Sequence, residues 1–210
     1  MKTFVIKNFL TKQQIDYALN FREPIDNFHD NDGVYGSDVV TTGQQWLDNS
    51  SDFAIQILEK LHTHQEFAHN GWDGIQVMHA HRAYDVHSDW YHTKNQVIIN
   101  DTTTHVPTYT VLMPLTAGDF ATVIFDQAGE YNDFYEYKSK SQPLEQCINN
   151  EDWKRYCSHC HAEDQNYLTL KHAYHWQVGD LLAFDRKLFH CSANFETNKK
   201  AVVGWLSQKI

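Results

Sequence analysis

A mainly β, α+β fold is predicted: a jelly-roll or double-stranded β-helix barrel, cupin-like, buttressed by N-terminal helices. Three observations predict it. Two helix patterns occupy the start of the chain. From Asp73 onward the sequence breaks into short runs rich in β-branched and aromatic residues, separated by turn signals. At 210 residues and 41% hydrophobic content, the chain is large enough for one well-buried core and short for two. A single domain over residues 1–210 follows, with a helical buttress over about 1–70 and a barrel over about 73–209.

The opening run TFVIKNF reads as a strand. Thr11 with Gln14 makes a capping box, which starts a helix through about Phe21 with Ile15, Ala18 and Leu19 on one face. Glu23 to about Gly43 is rich in Asp, Asn and Gly and reads as a loop. SSDFAIQILEKLHTH is a second helix, with Phe53, Ile57, Leu58 and Leu61 at helical spacing. Strands are expected in GIQVMHAHRAY, NQVIIN, PTYTVLMPL and FATVIFD. A polar, partly helical insertion covers about Gln127 to Asn166. Strands resume with NYLTLKHAYHW, turn at QVGD, and continue with LLAFD and KAVVGWLSQK.

A formal charge of -10 and the absence of a basic run disfavour tracking of a phosphate backbone, so no nucleic-acid partner is expected. The apolar stretch in MKTFVIKNFL is short and broken by Lys7, and no later segment approaches a membrane span; a cytoplasmic setting without membrane attachment is the expectation. Four cysteines are too few for a disulfide scaffold, which agrees with a reducing compartment.

The chemistry concentrates in YDVHSDW. In extended chain His87 and Asp89 point to one face and can close on one ion. Chance alone supplies such pairs in a chain with 14 histidines, and a second occurs at His161 and Glu163. The third ligand separates them. His190, in FDRKLFHCSANF, follows His87 at a distance that lets the intervening strands wrap once around a barrel and return to its mouth; His161 and Glu163 lack that room. Two histidines and a carboxylate form a facial triad for a non-haem Fe(II) with open positions. A 2-oxo acid can chelate there and dioxygen can bind beside it. An Asp at position 89, where Gly or Ala would admit a halide, argues for hydroxylation over halogenation.

A chelated 2-oxoglutarate needs a cation at its far carboxylate. Lys200, ten residues beyond His190, stands at the start of KAVVGWLSQK and is preferred for its position. Strand parity does not separate it from Lys199, because both faces of this strand carry apolar residues. Thr110, in TYTVLM, is placed to hydrogen-bond the co-substrate from a neighbouring strand. Trp90 and Tyr91 are candidates to wall the substrate pocket, and Arg186 to meet substrate at the barrel mouth.

The His87-Ser88-Asp89 motif, the run WQVGDLLAFDRKLFH and a Lys ten residues beyond His190 resemble the 2-oxoglutarate and Fe(II)-dependent oxygenases, in the prolyl 4-hydroxylase-like branch of small bacterial and phage enzymes. The resemblance spans roughly Asp73 to Lys209, and less clearly NFLTKQQID. It implies a double-stranded β-helix, iron at His87, Asp89 and His190, 2-oxoglutarate at Lys200, and hydroxylation of a small molecule, amino acid or peptide with O2 as oxidant. Two other classes are set beside it. One is a cupin-like isomerase or lyase, which consumes no 2-oxoglutarate. The other is a zinc-binding module built on CSHCH, with Cys157, Cys160 and His161 as ligands and Cys147 as a fourth. The same CSHCH spacing suits c-type haem, against which stand the missing export signal and the β-rich core.

Overall fold

The computed structural model describes residues 1–21, 29–34, 39–80, 83–90, 105–129, 134–193 and 199–209. After β1 (Thr3–Ile6) comes α1 (Lys12–Asn20). The capping box starts this helix as expected: the Thr11 hydroxyl accepts from the Gln14 N–H, and the Gln14 side chain accepts from the Thr11 N–H at 3.0 Å. Helix α2 (Asp52–His62) is capped by Ser51 and buries Phe53, Ile57 and Leu61. Strand β2 (His29–Val34) and the first part of β3 (Val39–Leu47) occupy the stretch expected to be a loop. Its Asp, Asn and Gly content speaks for loop, but β3 pairs antiparallel with β2 and β4, and those ladders satisfy the backbone whatever the side chains prefer.

The remaining elements are β4 (Asn70–Ala80), β5 (His105–Pro114), β6 (Ala121–Ala128), helices α3 (Phe134–Lys140) and α4 (Asn150–Tyr156), then β7 (Leu170–His175), β8 (Leu181–Asp185), β9 (Leu188–Ala193) and β10 (Lys199–Lys209). The expected strand NQVIIN lies outside the described residues. Strand β9 was not anticipated as a separate strand; all six of its residues are buried, so it shows no alternation. Among the described residues the strands form two antiparallel sheets, a larger one in the order β1-β8-β5-β10-β4-β3-β2 and a smaller one in the order β7-β6-β9. From β4 onward the chain passes back and forth between them, in the manner of a jelly roll. The QVGD turn into β8 is present, with Gly179 at φ 82, a left-handed conformation that glycine tolerates without strain.

Side-chain alternation sorts the core into layers. On β10, Val202 and Leu206 face outward and join Phe53, Ile57 and Leu61 of α2. Ala201, Val203 and Trp205 face inward and meet Ile124, Tyr174, Trp176, Leu182 and Phe184 between the sheets. The insertion covers the outer face of the smaller sheet, where Trp153 and Tyr156 of α4 pack near Val123, Phe189 and Cys191. No helix among the described residues is long and apolar enough to cross a membrane.

Candidate metal centre

Residues 84–90 run beside β9, and His87 and His190 form an antiparallel bridge pair. The His87 N–H donates to the His190 carbonyl at 3.0 Å, and the His190 N–H returns to the His87 carbonyl at 2.9 Å. The Asp89 N–H donates to the Arg186 carbonyl at 3.1 Å. These backbone bonds bring the two ends of the triad together. The donor atoms of His87, Asp89 and His190 all lie within 4.8 Å of one another. His190 Nε2 stands 3.6 Å from Asp89 Oδ2, and the two imidazole centroids are 4.3 Å apart.

Both rings are oriented in the same way. His87 Nδ1 bonds the Asp85 carbonyl at 2.7 Å, and His190 Nδ1 bonds the Leu188 carbonyl at 3.1 Å. A carbonyl only accepts, so each Nδ1 carries a proton, and each Nε2 is the nitrogen left to bind a metal. Burial, followed by the nearby His87, pushes the His190 imidazole down to about 4, against the pull of Asp89. Burial alone would raise the Asp89 carboxyl, but His190, His87, the Thr110 hydroxyl and Arg186 outweigh it and hold the group at about 2. A neutral imidazole and an ionised carboxylate therefore face one point at neutral pH. This donor set suits a divalent first-row metal with positions left open.

The neighbouring candidates fall differently from expectation. Thr110 donates to Asp89 Oδ2 at 2.5 Å, so its hydroxyl is engaged with that carboxylate. Arg186 is 1% exposed and is neither at an opening nor in a surface salt bridge. Its guanidinium binds the Asp73 carboxylate, the Leu206 carbonyl and, at 3.2 Å, the Asp89 carbonyl. Trp90 is half-buried with Lys187 Nζ 4.2 Å from its ring centroid; it borders an open cleft of about 370 Å3 with Tyr109, Asp185 and Lys187, a cleft that does not include the triad. Tyr91 lies outside the described residues. The pair His161 and Glu163 is separate from the triad, and Glu163 is exposed and bonds Lys138 at 2.8 Å.

Strand parity puts the two lysines on opposite faces of β10. Lys199 shares the inward face of β10 with Ala201, Val203 and Trp205, is 1% exposed, and holds its Nζ 4.2 Å from the Trp176 ring centroid. Lys200 faces the other way, with Val202 and Leu206, opposite His79 on β4. Burial pushes the Lys199 ammonium down to about 7, against a smaller pull from Cys191. Trp176, which opens the WQVGD run, donates its N–H to Thr122 at 2.9 Å, and the buried Gln76 Oε1 has no hydrogen-bond partner.

No family model matches the sequence, and neither does any curated protein. Solved structures share its fold. The non-heme alpha ketoglutarate dependent epimerase SnoN from nogalamycin biosynthesis superposes with a TM-score of 0.61 at 8% identity, over 98% of this chain and 78% of that one. SnoN is also known in complex with Fe3+, alpha ketoglutarate and nogalamycin RO. The carbocyclase SnoK from the same biosynthesis gives 0.50 at 10% identity, over 98% and 79%. A prolyl-4-hydroxylase from Pseudomonas putida gives 0.50 at 10% identity, over 98% and 92%.

Proposed function

We propose that the protein is a non-haem Fe(II) and 2-oxoglutarate-dependent oxygenase on a double-stranded β-helix, hydroxylating a small molecule, amino acid or peptide. The observation that carries this reading is the pairing of an open two-histidine, one-carboxylate donor set with a buried lysine on the same interior face. Fe(II) held by His87, Asp89 and His190 would supply oxidative decarboxylation of 2-oxoglutarate by O2, to succinate and carbon dioxide, coupled to oxidation of a substrate C–H bond. Lys199, and not Lys200, is assigned to the distal carboxylate. His190 is opposite Ile124 and Ser192 is opposite Thr122, the residue that holds Trp176 under Lys199. Lys199 is thus tied through Trp176 to the strand pair that carries His190, two residues along from that histidine.

The chain's own residues have distinct parts in this chemistry. His87 and His190 present their Nε2 nitrogens, and Asp89 contributes the anion. Thr110 and Arg186 are positioning residues: one fixes the carboxylate, the other the backbone that bears it. An Asp ligand supports hydroxylation over halogenation. The fold neighbours, a hydroxylase, an epimerase and a carbocyclase by name, support the cofactor class without dictating that outcome. The acidic charge balance supports a metabolite or peptide partner over nucleic acid, in a cytoplasmic setting. The experiment is direct: succinate formation from 2-oxoglutarate should require both Fe(II) and O2. Iron-loaded protein that forms none, with or without candidate substrates, would rule the reading out.

Two further outcomes are expected. Thr110→Val keeps the side-chain shape and removes the bond to Asp89. It should weaken Fe(II) or Mn(II) binding by roughly 10- to 100-fold in a metal titration, with the fold retained. The second concerns pH. The Lys199 ammonium is held near 7, so above that pH the ligand-free protein carries it mostly neutral. A bound carboxylate favours the charged form, so binding takes up a proton. Affinity for 2-oxoglutarate should be flat below about pH 6.5 and fall up to about tenfold per pH unit above 7. Calorimetry at pH 8 in two buffers of different ionisation enthalpy should show uptake of about one proton per site.

A further inference from the structure

The CSHC turn gathers a second donor cluster, on the outer side of the smaller sheet. Cys157 caps α4, its N–H donating to the Trp153 carbonyl at 2.8 Å, and the Cys160 N–H returns to the Cys157 carbonyl at 2.9 Å. This tight turn presents both thiols to β9, where Cys191 supplies a third. Cys157 Sγ is 3.9 Å from Cys191 Sγ, and the donor atoms of His159, Cys160 and Cys191 all lie within 4.8 Å of one another. His159 Nε2 bonds the Tyr84 carbonyl at 3.1 Å. Since the carbonyl only accepts, Nε2 carries a proton, and Nδ1 is the nitrogen left to bind a metal once it gives up its own proton, as in a metal-bound histidine whose other nitrogen is held.

We propose that Cys157, His159, Cys160 and Cys191 form a structural zinc site, separate from the His87, Asp89 and His190 centre. Tetrahedral Zn–S bonds of about 2.3 Å separate neighbouring sulfurs by about 3.8 Å, so the Cys157 and Cys191 thiols already stand at that edge length. The set is thiolate-rich and enclosed: the three cysteines are 0%, 9% and 1% exposed, and His159 closes the solvent side. Four soft or borderline donors with no position left open select zinc in a structural role. The ligands differ from those the sequence pointed to. Cys147 is exposed, and the His161 ring packs against Tyr135 with centroids 5.8 Å apart. His159 takes the place of His161, and Cys191 that of Cys147, because the fold returns β9 beside the insertion.

The site has a consequence for its neighbour. Cys191 directly follows His190. Tyr84, whose carbonyl holds His159, is bound through its N–H to Ser192 Oγ at 2.6 Å and lies three residues before His87. A zinc ion here pins α4 to both chain segments that bear the triad.

The test uses the full chain, reduced and folded, in the Asp89→Ala background, so that metal found cannot be attributed to the triad. Titration with a mercurial reagent against a colorimetric zinc indicator should release about one zinc per chain. Growth on cobalt should give thiolate-to-cobalt charge-transfer absorption in the near ultraviolet, unchanged in Cys147→Ser and lost in Cys191→Ser. Should Cys191→Ser fail to fold, zinc release from the parent protein still decides. Absence of zinc and of the cobalt band, or a Cys157–Cys191 disulfide in place of metal, would overturn the proposal and leave the triad reading untouched.

Discussion

Replacing Lys199 with methionine should lower the affinity for 2-oxoglutarate by on the order of 10²- to 10³-fold, whereas Lys200→Met should change it by less than about threefold. The difference follows from parity on β10. Lys199 is buried on the interior face against Trp176, while Lys200 lies on the opposite face with Val202 and Leu206. Removing one partner of a buried, hydrogen-bonded charge pair costs about 2–5 kcal/mol, because the other charge stays desolvated without compensation. Methionine preserves the shape and removes a charge whose burial is itself unfavourable, so the ligand-free variant should fold at least as well as the parent. Anaerobic binding titrations of both variants, with thermal unfolding alongside, check this. Equal loss in the two variants would contradict the assignment of the anchor.

Asp89→Ala should cost more than about a hundredfold in Fe(II) affinity and abolish turnover, since even partners of metal ligands are worth roughly 10- to 100-fold. The fold should survive. Arg186 keeps its bonds to Asp73, to the Leu206 carbonyl and to the backbone carbonyl of residue 89 itself. The Thr110 hydroxyl loses its acceptor, a penalty of about 1–3 kcal/mol, offset in part because a buried carboxylate is no longer desolvated. Metal titration and circular dichroism on the same sample separate lost chemistry from lost structure. Turnover at the parental rate would remove Asp89 from the site.

The His87, Asp89 and His190 grouping is readable from sequence because two of its members stand two residues apart and the third follows a recognisable turn-strand run, although residues 86–89 form bends and one isolated bridge and not the continuous strand expected. Lys199 is not readable in the same way. Strand β10 is apolar on both faces, one packed on helices and the other on the barrel interior, so no period of two marks which lysine points in. Arg186 and Thr110 look like pocket residues from their positions in the chain, and only the tertiary fold shows their donors turned toward Asp89 and its backbone. Strand β2 is hidden by its Asp, Asn and Gly residues, whose preference for turns yields to ladder pairing with β3, itself held by β4. Cys191 escapes notice for a similar reason: nothing local links it to Cys157 and Cys160 before β9 is placed.

The most direct measurement is anaerobic: Fe(II) is added to the apo-protein, then 2-oxoglutarate, and the visible spectrum is followed. A metal-to-ligand charge-transfer band that saturates at about one equivalent of co-substrate, and that needs far higher concentrations in Lys199→Met but not in Lys200→Met, is the expected result. Iron that binds with no band forming would contradict the oxygenase assignment at its co-substrate and turn attention to a cupin-like enzyme that uses the same metal without it.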